Sequence, residues 1–314
     1  MNANHSSGMV LIFVLWVVLI LAVLAVTLGR EAGIDLALTK YAIGKFKADQ
    51  LAYSGVMYAL AQMQKSAPPN AEQTPEAAFH YDFQDEERKI NLNSISEENR
   101  EIVTELIVLL GFSKELARTV SASVVDWHDE DQLATASPWG AEENYYSSLP
   151  LGYHCKNRPF DHIEELPLVR GIGPDLFLRL KNYVTVFPKK GGALKVNFNT
   201  ASETVMRALL RSKTGPMTNT TLDDAESLCR KIIFYRSGPD GQEATPDDRK
   251  VEMEKLGLNA KEEVLFLSLL QNMTSASQYF RVKVKGVDSS SGAVSFVEAV
   301  VNADDHSILS WSQK

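Results

Sequence analysis

Hydrophobic and polar positions are unevenly distributed along this chain. After a short polar stretch, Met1 to Gly8, the sequence is almost unbroken apolar from Met9 to Leu28. At about 1.5 Å per helical residue, that run is roughly 30 Å long, enough to cross a bilayer core. It lacks the positive leading region, the shorter apolar core and the small-residue site after the core that mark a secretory signal. A retained membrane span over 9–28 is the prediction. The helix is expected to continue over 29–65, through Tyr41 and Phe46, where Val56, Leu60 and Met63 recur at helical spacing and offer a face to a soluble domain. Ser66 to Thr74, with Pro68 and Pro69, reads as a linker. Phe79, Tyr81 and Phe83 then alternate with His80 and Asp82, as in a half-buried strand. The same period returns in Phe280, Val282 and Val284, followed by a Ser/Gly turn from Asp288 to Gly292 and by Val294, Phe296 and Val300. A hairpin is predicted there. The fold class is therefore α+β: a long N-terminal helix against an antiparallel sheet, with first strands over 66–93, last strands over 272–314 and a large helical domain inserted over 94–271.

The insertion contains an internal echo. Lys89-Ile90-Asn91-Leu92-Asn93-Ser94 with Ser96-Glu97 recurs as Lys195-Val196-Asn197-Phe198-Asn199-Thr200 with Ser202-Glu203. Ser94 or Thr200 is expected to cap the next helix, with Glu97 or Glu203 completing a capping box. Between the copies, Phe160 to Gly173 closes an apolar run with Gly171-Ile172-Gly173 and then Pro174. It is similar to a helix-hairpin-helix unit, whose turn amides can grip phosphates. Here Glu164, Glu165 and Asp175 surround the turn against Arg170, Arg179 and Lys181, so packing of two helices is the expectation.

Charge and chemistry narrow the reading further. A net charge of -8 and a pI near 5.4 argue against a generic phosphate-backbone binder, so no nucleic-acid partner is expected. Cys155 and Cys229 show no zinc-ligand spacing and can either form one bridge in an oxidising compartment or remain two buried thiols. There is no GxSxG, HExxH or phosphate loop, and no enzyme is predicted. The most chemical stretch is Asp126-Trp127-His128-Asp129-Glu130-Asp131, followed by Gly140-Ala141-Glu142-Glu143-Asn144-Tyr145-Tyr146. It follows a helix whose apolar face includes Leu116, Val120 and Val124, so its carboxylates crowd the negative end of a helix dipole. Asp126, Asp129, Asp131, Glu142 and Glu143 are candidate ligands for a hard cation, calcium rather than zinc; the alternative is a solvated acidic loop. Asp240, Glu243, Asp247 and Asp248 form a second, weaker candidate of the same kind.

Gly8 placed just before the apolar segment resembles the processing site of a type IV prepilin, which would be cleaved between Gly8 and Met9. The fifth residue from Met9, where most pilins carry Glu, is Phe13. Together with the Asn-Leu-Asn and Asn-Phe-Asn repeats, the Asp-Trp-His-Asp-Glu-Asp loop, the Arg158-Pro159-Phe160-Asp161 to Glu165-Leu166 stretch and the closing strands, this order of parts resembles the K-type minor pseudopilins of type II secretion. The resemblance implies a single-pass inner-membrane pseudopilin with leader 1–8, processed and N-methylated by prepilin peptidase, with a pilin-like periplasmic body. It also implies calcium as a structural ion and a place at the pseudopilus tip with I-type and J-type minor pseudopilins, above the major pseudopilin. A membrane-anchored helix-hairpin-helix protein of DNA uptake and a minor pilin of a type IV pilus are the alternatives.

Overall fold

The long apolar run forms one continuous helix. The computed structural model describes residues 6–63, 79–243, 245 and 247–314, and α1 occupies Ser6–Met63. Among the described residues it alone is long and apolar enough to cross a membrane. The linker expected at Ser66 to Thr74 lies outside the described residues, as does the start of the leader. After α1 come β1 (Phe79–Asp85), β2 (Ile90–Asn91), α2 (Glu101–Leu109), α3 (Lys114–His128), α4 (Glu143–Ser147) and α5 (Pro174–Leu180). Next are β3 (Val184–Thr185), β4 (Val196–Asn197), α6 (Glu203–Arg211), α7 (Leu222–Arg236) and α8 (Ala260–Leu269). The chain closes with β5 (Met273–Thr274), β6 (Tyr279–Val287), β7 (Val294–Asn302) and β8 (Ile308–Gln313). These elements form two units, one from Met1–Phe83, Val282–Val301 and His306–Lys314, the other from Gln84–Arg281 and Asn302–Asp305.

In the first unit the sheet order is β1-β6-β7-β8. β7 and β8 are antiparallel, with Val297 opposite Gln313 and Ala299 opposite Trp311. The helix meets the strands through small residues: Ala48, Ala52, Val56 and Ala59 are fully buried. A Cβ on Gly55 would lie 2.5 Å from Val284 Cγ1 and 2.9 Å from the Phe79 ring, and one on Gly286 would run into the Ala48 carbonyl and sit 2.6 Å from Ala52 N. Helix backbone and strand backbone therefore touch directly, which only glycine permits. The expected face of β7 is corrected: Phe296 is 52% exposed, while Ser295, Val297, Ala299 and Val301 are buried. Parity is set by the neighbouring strands, and a β-bulge between Val300 and Val301 lets Val300 point inward too.

The second unit is mostly helical. α3 packs on α2, α2 on α6, α6 on α7 and α7 on α8. α6 holds the middle because Val205, Met206, Ala208, Leu209 and Leu210 are all buried. The two echoed segments do the same job twice. β2 pairs in parallel with β3 and β4 with β5, and in each copy the first Asn accepts from the backbone two residues on, Asn91 from Asn93 N and Asn197 from Asn199 N, both at 3.0 Å. The second Asn reaches across the fold: Asn93 accepts from Phe160 N at 2.7 Å and donates to Val186 O at 2.8 Å, while Asn199 accepts from Val251 N at 2.9 Å and donates to Ser275 O at 3.4 Å. These amides replace ladder bonds that a two-residue strand cannot make.

The capping expectation fails in both copies. α2 starts after Arg100 with no side-chain cap, because a 3-10 turn and Asn99 intervene. α6 is capped by Ser202, and Thr200 donates instead to Asp85 at 2.5 Å. The hairpin unit is a 3-10 helix, Ile163–Leu168, turning into the short α5. Its turn is packed: Ile172 is buried, and a Cβ on Gly171 would lie 2.9 Å from Val120 Cγ2 of α3.

Candidate metal centre

α3 is capped at its start by Ser113, which accepts from Leu116 N at 3.2 Å, and its last turn delivers the acidic stretch. Asp126 is wholly buried in the last turn, with Oδ1 accepting from Thr135 N at 2.8 Å and Oδ2 from Ala141 N at 2.5 Å. It thereby fixes both ends of the loop that follows. Burial pushes its carboxyl above the usual range, against the lowering effect of those bonds. Asp126 is therefore an organiser, with both oxygens already engaged. Gly140 has to be glycine, since a Cβ there would collide with Asp126 Oδ2 and lie 2.6 Å from Thr135 O. Arg170 completes the loop by donating from Nη1 to Gly140 O at 2.9 Å while its guanidinium lies 4.8 Å from the Tyr145 ring centre.

Held this way, Asp129, Asp131 and Glu142 present carboxylate oxygens that all lie within 4.8 Å of one another. Asp129 follows the last helical residue and its N donates to Val125 O. Asp131 turns its own loop, Oδ1 accepting from Leu133 N at 2.7 Å. Glu142 is only 6% exposed, and neither of its oxygens finds a hydrogen-bond partner among the described residues; nor does the buried Oδ1 of Asp129. Burial, then Asp126, Asp129 and Asp131, push the Glu142 carboxyl up to about 7, and burial followed by Asp131 and Asp126 push Asp129 up to about 6. Converging carboxylates with buried, donor-free oxygens are costly alone and become favourable around a hard cation. An all-oxygen set with backbone carbonyls nearby fits calcium, which takes six to eight oxygens.

The other sequence candidates are placed differently. Glu143 turns away from the cluster: Oε1 lies 2.7 Å from His154 Nδ1 and Oε2 accepts from Cys155 N at 2.9 Å, so it fastens the next loop. The hydrogen bond from His154 holds its carboxyl below the usual range. In the second acidic loop Glu243 pairs with the buried Arg236 at 2.6 Å, Asp240 accepts from Gln242 N, and Asp247 accepts from Asp240 N and Thr245 Oγ1. Among the described residues, Asp129, Asp131 and Glu142 form the one group of three or more close enough to share an ion. Cys155 and Cys229 are two separate buried free thiols, so the bridge is absent and the second of the two readings holds. Burial pushes each thiol up to about 12. No local signal in the sequence marks the contact of Arg170 with this loop, since it comes from outside the acidic runs, nor the steric demand on Gly140, which carries no side chain.

A long apolar helix on a four-stranded sheet, with a helical insert in the chain between the strands, is the pilin-like α+β architecture. The family described as type II secretion system protein K matches residues 88–189, which include the whole centre. That match takes in about a third of the chain. A protein K of Pectobacterium carotovorum subsp. carotovorum is 38% identical over 98 residues, 31% of this chain and 29% of that protein. One from Klebsiella pneumoniae is 25% identical over 223 residues, 63% of this chain and 67% of its own. A chain in the crystal structure of the GspK-GspI-GspJ complex from the type 2 secretion system of enterotoxigenic Escherichia coli matches with a TM-score of 0.61 at 16% identity, covering 91% of this chain and 98% of that one. That likeness shows the fold.

Proposed function

We propose that this chain is a minor pseudopilin of type II secretion, a structural subunit rather than an enzyme, seated at the tip of the periplasmic pseudopilus with I-type and J-type partners. The observation that carries the reading is the fold match along 91% of the chain to a subunit solved in a three-protein complex. Two features of this chain support the tip. Phe13 replaces the membrane carboxylate that in pilins pairs with a neighbour's terminal amine, and the insert of Gln84–Arg281 adds bulk that is difficult to repeat along a tightly wound fibre. α1 anchors the chain in the inner membrane, and prepilin peptidase cleaves between Gly8 and Met9. DNA capture is disfavoured, because Arg170 is spent on loop carbonyls and Arg179 on Leu110 O and Asp175. The experiment is co-expression with the I-type and J-type proteins and measurement of complex mass, with one copy of each expected. Labelled protein along the whole length of isolated pseudopili would refute the tip position.

The metal centre belongs to the same reading. Asp129, Asp131 and Glu142 would hold calcium, which neutralises their mutual repulsion and ties the end of α3 to the start of α4.

A further inference from the structure

The metal centre has a neighbour that is not a carboxylate. Asn157 sits at φ 46°, in the left-handed region that Asn tolerates better than most residues. Its Nδ2 donates to the backbone oxygen of Asp131 at 3.1 Å, which clamps the amide to the acidic loop from 26 residues away. The segment carrying it is tied to the same place twice more, by Cys155 N to Glu143 Oε2 at 2.9 Å and Cys155 Sγ to Asp126 O at 3.4 Å. Oδ1 of this clamped amide is buried and accepts no hydrogen bond from the described residues.

That orphan is not isolated. Apart from oxygens of the ion-paired Asp49 and Glu105, the buried side-chain oxygens without a donor among the described residues belong to Asp129, Glu142, Asn157 and Asn272. Three of these four residues converge on one loop system. A buried amide oxygen left unpaired costs free energy, and a cation removes the cost as well as a donor would.

We propose that Asn157 is a neutral ligand of this centre, its Oδ1 completing the oxygen set of Asp129, Asp131 and Glu142. The inference rests on the calcium reading above. A fourth carboxylate would add repulsion to a group already crowded with charge, whereas an amide adds an oxygen and no charge. A further protein oxygen also favours calcium, which accepts a high and irregular coordination number, over magnesium, which keeps its waters.

The test is calcium titration by calorimetry on the full chain in detergent, for wild type, Asn157→Gly and Asn157→Asp. Glycine keeps the left-handed backbone and removes the side chain. Aspartate keeps an oxygen at the Oδ1 position and removes the Nδ2 donor. The expected result is that Asn157→Gly weakens calcium binding roughly tenfold or more, while Asn157→Asp stays within about threefold of wild type. Unchanged affinity in Asn157→Gly overturns the proposal, and so does an Asn157→Asp as weak as the glycine variant, since the clamp on Asp131 would then be the whole role. A wild type that binds no calcium overturns the calcium reading itself. Should the glycine variant fail to fold, a calcium-loaded wild-type crystal structure decides: Oδ1 beyond about 2.6 Å from the ion refutes ligation.

Discussion

Replacing Glu142 with Gln should change stability in opposite directions with and without calcium. Without the ion, Glu142 is a liability: its carboxyl moves from 4.5 in the unfolded chain to about 7 in the fold, driven by burial and by Asp126, Asp129 and Asp131. A raised carboxyl pKa means that the folded state binds more protons than the unfolded one between those values. The stability it contributes is complete below pH 4.5 and is lost as pH rises through 7. At about 1.4 kcal/mol per pH unit the loss is at most about 3.5 kcal/mol, and solvent screening of a loop reduces it to about 1–2 kcal/mol. Asp129, moved from 3.8 to about 6, adds a smaller loss over a lower window. At pH 8 in chelator, Glu142→Gln should therefore be more stable than wild type, with Tm higher by about 2–6 °C for a unit of this size. In calcium at about a hundred times Kd the order reverses, because wild type gains about 2.7 kcal/mol by mass action and the variant gains far less. Trp127, buried against Tyr146 at 5.1 Å between ring centres, gives a fluorescence signal beside the site for melts of the full chain in detergent. A variant less stable than wild type in chelator at pH 8, or one that keeps the full calcium response, would refute the reasoning.

Three further outcomes are expected. Gly286→Val should drive a side chain into the backbone of α1 at Ala48 and Ala52 and cost about 2 kcal/mol or more, read as faster proteolysis of the first unit under native conditions. Gly140→Ala should destabilise the second unit in calcium and in chelator alike, because its Cβ meets Asp126 and Thr135 rather than the ion; melting curves in both buffers check this. Gly8→Leu should leave the leader attached, and N-terminal sequencing of membrane-extracted protein would show Met1 in place of Met9.

The sequence made the large elements legible and the joints illegible, for physical reasons. α1, β1 and the β6/β7 hairpin follow from apolar period alone, because each buries a stripe or a face. Phe296 misled because aromatic size suggests burial, whereas the sheet's parity and the bulge decide which side a residue takes. β8 falls within the last strands expected over 272–314, but its bounds carried no period of their own because Ile308–Gln313 is an edge strand with little buried surface. The helix caps failed because Ser94 ends a 3-10 turn that stands before α2 and Thr200 is drawn to Asp85 at long range, a competition that spacing does not encode. In the metal centre, the acidic run pointed to Asp129, Asp131 and Glu142, but Asp126 and Glu143 looked equivalent to them until their hydrogen bonds were known. Asn157 carried no local signal, since its relation to Asp131 exists only after the chain has turned back.

The stretch between α3 and the 3-10 helix at Ile163 supports the proposal that a cation sits in this part of the fold. Its regular structure is the short α4, and segments of that length without regular structure are uncommon unless something other than a ladder orders them. Several polar groups do so here. Asp126 spends both oxygens on Thr135 and Ala141, Arg170 donates to Gly140, Glu143 holds His154 and Cys155, and Asn93 holds Phe160. Each of these contacts is favourable as it stands. Asp129, Asp131 and Glu142 are different: they sit on the same frame, and their proximity raises the free energy of the folded state at neutral pH. A loop system that finds partners for Asp126, Arg170, Glu143 and Asn93 would be expected to separate these three carboxylates if solvent were their only counterpart. Their convergence is accounted for when a divalent ion supplies the missing charge, because the same frame that makes the empty cluster costly then holds ligands already in place.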